Sequence, residues 1–120
     1  MTMFEEFYFW IISMLEDDPI PYEIWFIYFV IDFSTDICKL SFVGSELKQN
    51  PLTNYEYFPL EAHFFSNQSF INIKDIYIAK ITVKELIEQA LEKNEFKSKF
   101  SNKQIFLCER YKEIEYTFNY

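Results

Sequence analysis

The chain has 120 residues, half of them apolar and 22% aromatic, with a formal net charge of −8. That length suits one domain, residues 1–120, able to bury a core without help from a metal or a disulfide. The aromatic content excludes intrinsic disorder, and the negative charge opposes polyanionic partners, so neither nucleic acid nor an anionic membrane surface is expected to bind.

The charge is unevenly placed. Residues 1–60 hold ten acids (Glu5, Glu6, Glu16, Asp17, Asp18, Glu23, Asp32, Asp36, Glu46 and Glu56) against Lys39 and Lys48. Residues 61–120 hold nine acids and nine bases, so the whole net charge belongs to the N-terminal half. Such a half attracts a basic protein; the plain alternative is a solvated surface that only aids solubility. The excess of Phe, Tyr, Ile, Asn and Lys has an equally plain source in an AT-rich genome. Cys38 and Cys108 each fall in a run that reads as a strand, where a reduced, buried thiol is the common outcome and a cross-strand disulfide the alternative. Glu5 and Glu6 interrupt the N-terminal apolar stretch, which is no secretory signal. The uninterrupted apolar runs fall short of the roughly 20 residues that cross a bilayer. A cytoplasmic location is expected.

Taken in order, residues 4–15 read as a helix, because Phe4, Phe7, Ile11, Met14 and Leu15 recur at three- and four-residue spacing. Thr2 and Glu5 have the spacing of a capping box, and Pro19 ends the helix. Residues 22–33 form a dense aromatic and β-branched run, the signature of a central strand buried on both faces, Trp25 included. A short Ser34-Thr35-Asp36 connection leads to a second strand over residues 37–43. There Ile37, Lys39, Ser41 and Val43 share the wetter face, and the pairing is antiparallel. Gly44, the only glycine, marks a bulge or the strand exit, where positive φ is allowed.

Residues 45–54 read as a loop, and 55–65 as a third strand that Pro59 confines to an edge or breaks. Residues 66–69 form a turn. Ile76, Ala79, Val83, Leu86, Ile87, Ala90 and Leu91 then fall at helical spacing, predicting a helix over residues 73–93 capped by Asn72. A start at Thr82 is the competing choice, and Lys84 and Glu88 are spaced to pair on the solvated face. Residues 96–100 add one further turn. Residues 104–108 and 113–118 close the chain as a hairpin. The fold class is α+β: a mostly antiparallel sheet of about five strands packed against two helices, in the order α-β-β-β-α-β-β.

Few residues carry chemistry. His63 is the only histidine, and on an alternating strand it shares a face with Glu61, which allows a small acid–base enzyme. No nucleophile motif accompanies the pair. One histidine and two isolated cysteines make no zinc set, and Glu16, Asp17 and Asp18 lack a calcium-loop pattern, so no metal and no cofactor are expected. Lys93, Lys97, Lys99 and Lys103 interleaved with Phe96 and Phe100 are a faint trace of a single-strand track, diluted by Glu92 and Glu95. Tyr55, Tyr57, Tyr111 and Tyr120 stand among polar neighbours and are the surface aromatics expected at a binding face.

In size, acidity and order of segments the chain resembles the immunity proteins that bacteria make beside contact-dependent and other polymorphic toxins. The resemblance rests on the N-terminal aromatic helix, Phe26-Ile27-Tyr28-Phe29, Leu40-Ser41-Phe42-Val43-Gly44, the lysine-flanked helix over residues 83–91 and the closing hairpin. It implies a protein without catalysis that binds a cognate toxin, typically a nuclease, and occludes its active site. From the charge pattern, the expected contact residues are Asp17, Asp18, Glu23, Asp32, Asp36, Glu46, Tyr55, Glu56 and Tyr57. The alternative is a regulatory or structural module that homo-oligomerises, as a homodimer for example, through an exposed strand edge or an aromatic patch.

Overall fold

The computed structural model describes residues 1–33, 37–64 and 68–120. It contains α1 (Met3–Asp17), β1 (Phe26–Asp32), β2 (Lys39–Ser45), β3 (His63–Phe64), α2 (Gln68–Ile71), α3 (Ile76–Ala90), α4 (Asn94–Lys99), β4 (Gln104–Glu109) and β5 (Ile114–Phe118). The five strands make one sheet in the order β3-β2-β1-β4-β5. The fold is α+β. The sheet is antiparallel except where β1 lies parallel to β4, in a register that pairs Phe26 with Gln104 and Ile31 with Glu109. The connection expected over residues 34–36 and the first part of the turn expected over residues 66–69 lie outside the described residues.

The helices cover one face of the sheet. Ile27, Phe29, Ile31, Leu40, Phe42, Ile105 and Leu107 meet Phe7 and Ile11 of α1, Val83 and Ile87 of α3, and Phe96 and Phe100 from the α4 segment. All of these side chains are essentially inaccessible to water. Alternation along each strand sends one set of side chains to this core and the other set to the opposite face. On that second face Tyr28, Val43, Phe106 and Cys108 form a smaller buried cluster.

The local signals act largely as expected at α1. Glu5 N–H donates to Thr2 Oγ1 (3.1 Å) and Thr2 N–H to Glu5 Oε1 (2.9 Å), completing the capping box. These hydrogen bonds, backbone first, also hold the Glu5 carboxyl below its usual range. The long helix over the 70s and 80s forms, but Asp75 rather than Asn72 caps it, through a bond from Tyr77 N–H. Lys84 lies over the Tyr116 ring (4.3 Å) rather than pairing with Glu88, and Lys80 bridges Glu109 and Glu115. Helix α3 thus crosses β4 and β5.

Three expectations are corrected. The third strand shrinks to His63–Phe64, because Pro59 removes a donor and Glu61 takes a left-handed φ of 61°. Among the described residues, an isolated bridge between Tyr57 and Gly44 continues its pairing. Trp25 is not core: it precedes β1, is 39% exposed, and lies beneath Lys103 Nζ (5.6 Å). Gly44 makes neither a bulge nor a positive-φ turn, since it lies within β2 with an ordinary negative φ. It is needed for space: a Cβ there would sit 2.5 Å from Ile24 Cγ2 and 3.2 Å from both Ile27 Cδ1 and Tyr57 Cδ2. The cysteines are the buried, free thiols expected: Cys38 belongs to the helix-side core and Cys108 to the opposite cluster, so the sheet separates them.

Two tests follow. Gly44→Ala is expected to lower stability in urea by about 1–3 kcal/mol through overpacking. Combined with Ile24→Ala, it should cost less than the sum of the single changes, and an additive double mutant rules out the steric account. Burial pushes both thiols up to about 12. Because the thiolate is the reactive form, Ellman's reagent at pH 8 should report no rapid reaction in the native chain and two thiols after unfolding.

Candidate functional site

With the helices on one face, the other face of β1 and β2 needs a separate cover. Residues 46–60 supply part of it. Tyr28, fully buried, both accepts from Gln49 N–H (2.8 Å) and donates to the Gln49 carbonyl (3.1 Å). Gln49 Oε1 in turn accepts from Thr53 N–H (3.1 Å), Thr53 Oγ1 (3.2 Å) and Asn54 N–H (2.8 Å). Asn50 Oδ1 accepts from Ile114 N–H (2.7 Å), and Leu52 packs on the Tyr28 cluster. The Asn50–Pro51 peptide is cis. The segment is therefore a flap tied to the central strand at one side and to β5 at the other.

Between this flap and the β4–β5 turn the sheet stays open, leaving a cavity of about 480 Å³, a size that suits a small ligand. Val30, Val43, Leu52 and Cys108 give it an apolar lining; Tyr55 and Phe58 rise on the flap side, and Arg110 and Tyr111 on the turn side. Tyr55 and Phe58 stack at 5.7 Å, and Phe58 meets the His63 ring edge-on at 5.5 Å. Lys39, Ser41 and His63 complete the lining along β2 and β3. The only arginine and the only histidine of the chain both face this cavity.

The arginine is held firmly. Arg110 N–H donates to the Ile31 carbonyl (2.8 Å), Nη1 to Asp32 Oδ2 (2.7 Å) and Nη2 to Tyr111 Oη (2.8 Å). The hydrogen bonds to Asp32 and then Tyr111 raise its pKa further, so it stays cationic at any accessible pH. Ser41 Oγ and His63 Nδ1 are hydrogen-bonded at 2.7 Å. That contact is the first element a nucleophilic serine needs. The strand on which His63 and Glu61 were expected to alternate does not reach Glu61, an exposed turn residue whose carbonyl accepts from Trp10 Nε1 (2.7 Å).

No family model, curated protein or solved structure matches the chain. The chemistry of its surfaces is therefore read from geometry. Among the described residues no group of three or more His, Cys, Asp or Glu side chains could hold a metal ion. No described helix is long and apolar enough to cross a membrane. Phe96 and Phe100 are fully buried, so they offer no stacking platform beside the lysines that flank them.

The acids expected at a partner face divide between the two ends of β1. Asp17, Asp18, Glu23, Glu46 and Glu56 collect at its N-terminal end. Gly44 bridges Tyr57, Glu56 Oε1 accepts from Glu46 N–H (2.7 Å), and Asp18 Oδ2 accepts from Leu60 N–H (3.2 Å). Lys103 offsets part of this charge; its Nζ donates to the Ile24 carbonyl, and desolvation lowers its pKa against the pull of Glu23. Tyr57, expected on the surface, is buried, with its hydroxyl donating to the Asp18 carbonyl (2.6 Å). Burial, then the Asp18 carboxylate, pushes that phenol far above its usual range. It is a strut for the acidic end rather than a contact. Asp32 lies at the opposite end with Arg110, Tyr55 lines the cavity, and Asp36 lies outside the described residues.

Sequence reasoning missed Lys39, Ser41, Phe58 and Arg110 as a group, because three separate segments (β2, the flap and the β4–β5 turn) bring them together. Two signals pointed to them: the wetter face of Lys39, Ser41 and Val43, and the single arginine. Since the flap hangs on Gln49, Gln49→Ala should speed amide exchange at Thr53 and Asn54 by about tenfold or more, while the amides of β1 keep their protection. Unchanged exchange at those two amides would show that Gln49 does not organise the flap.

Proposed function

We propose that this chain is a binding protein without catalysis that captures a basic partner protein through its acidic end and occludes the partner's active surface, as the immunity proteins it resembles do. A toxic nuclease domain is the partner of that chemistry, and the cytoplasm the place where it would be met. The observation that carries the reading is the gathering of Asp17, Asp18, Glu23, Glu46 and Glu56 at one end of the sheet. A single-sign surface on a rigid frame steers an oppositely charged protein and fixes its orientation. The frame supports it: Tyr57 and Gly44 lock the strand ends that present those acids.

Self-association through a strand edge is less favoured. The outer strand β5 is flanked by Glu113 and carries Glu115, both exposed, and charge on an edge strand discourages edge-to-edge pairing.

The test uses the product of the neighbouring gene, where a toxin would be encoded. A complex should form at low salt. Asp17→Asn, Glu23→Gln and Glu46→Gln together remove three exposed acids whose side chains hold no described hydrogen bond. They should slow association about tenfold at low salt, with the difference closing near 1 M salt. No complex at low salt, or a triple variant that associates as fast as the native chain, overturns the reading.

A further inference from the structure

The cationic side of the open-face cavity, Lys39 and Arg110, stands at the opposite end of β1 from the acids and has a different chemistry. We propose that the cavity binds a small amphipathic monoanion, a carboxylate carried on an aromatic or aliphatic body. This site is independent of the partner-binding surface.

The charge balance selects the class. Lys39, Arg110 and Asp32 line the cavity together, and Asp32 lies directly across from Lys39 in the β1–β2 register. Arg110 has committed Nη1 to Asp32 and Nη2 to Tyr111. Lys39 is half-buried and, among the described residues, makes no ion pair and no hydrogen bond. One cationic charge is thus left over, with three rotatable donors. That matches one carboxylate, whereas a phosphate dianion would call for a denser set of donors or a run of backbone N–H groups. Ser41, two residues along the same face, adds a hydroxyl to the lining, hydrogen-bonded to His63 Nδ1.

The rest of the lining selects the body. Val30, Val43 and Leu52 provide apolar surface, and the stacked Tyr55 and Phe58, about half exposed, have ring faces to offer. Placing an aliphatic chain or ring there removes apolar surface on both sides from water.

The strongly negative net charge does not oppose this. β1 has seven residues, and Lys39 pairs with Asp32 at the far end, so about 20 Å of strand separates Lys39 from the acids at the N-terminal end, more than twice the Debye length of about 8 Å at physiological salt. At the cavity the nearby ammonium governs.

The test uses the full chain labelled with ¹⁵N and four probes: 3-phenylpropionate and octanoate, each beside its neutral amide. Titration should give saturable amide shifts at Lys39, Ser41, Tyr55 and Arg110 with at least one acid, and its amide should bind about tenfold more weakly or worse. Lys39→Met should abolish the preference for acid over amide, and Lys39→Arg should keep it. The remaining resonances of either variant report that the fold is intact. No saturable shift with either acid overturns the proposal. So does equal binding of acid and amide, or a Lys39→Met chain that binds the acid as tightly as the native one.

Discussion

Everything in this molecule hangs on the double pairing of β1. Its one edge runs antiparallel to β2 and its other edge parallel to β4, so its backbone donors and acceptors are taken up in ladders on both sides. Its helix-side face is buried as well, through Ile27, Phe29 and Ile31, and on the other face Tyr28 is buried under the flap while Val30 borders the cavity. A strand in that position must be apolar nearly throughout, and the chain supplies Phe-Ile-Tyr-Phe-Val-Ile before the first charge at Asp32. The parallel partner cannot be joined by a hairpin, so the three remaining helices, α2 to α4, lie between β3 and β4 in the chain. The long return that β4 requires is what delivers the helices α3 and α4 to the core.

The same pairing sets both surfaces. At the N-terminal end of β1, the close approach of Ile24 and Tyr57 to Gly44 draws the segment after α1 and the end of the flap together, and their acids follow. At the C-terminal end, the pairing of Ile31 with Glu109 puts Arg110 one residue beyond the ladder, where its N–H still bonds the Ile31 carbonyl. Its side chain then reaches Asp32. A one-residue change of register would send Arg110 to the helix side and dismantle the cavity. The acidic end and the cavity are two consequences of one ladder.

What the sequence made legible follows from how local each signal is. The apolar stripe and capping box of α1, the stripe of α3 and the alternation of β5 lie within a few residues of each other, and all three elements form. The parallel β1–β4 pair joins residues more than 70 positions apart and leaves no local mark. Trp25 shows the limit of composition: it continues the aromatic run but stands outside the strand, where Lys103 covers it. Gly44 shows the limit of propensity: its role is steric and depends on Ile24 and Tyr57, which no rule about φ could reveal. The acids were visible as a charge excess, but which end of the sheet each would reach was not. Tyr57 was placed outside because its neighbours are polar, yet the single bridge to Gly44 turns it inward. The cavity was visible only as its parts.

Tyr111 separates a structural role from a functional one at that cavity. Its φ of 66° is left-handed, a conformation that costs a residue with a side chain about 1–2 kcal/mol. In return its ring lies 4.8 Å from the Arg110 guanidinium, and its hydroxyl accepts from Nη2. The Asp32–Arg110 ion pair is half exposed on the arginine side, so solvent screens it and it adds little to stability. Stability alone therefore gives little reason to hold the guanidinium from two directions with a strained turn. The constraint makes sense as positioning. It fixes the one arginine at the mouth of the cavity and keeps it engaged with Asp32, which leaves the ammonium of Lys39 as the free charge inside. On the proposed reading of the cavity, strain kept at the turn beside it serves recognition rather than the core.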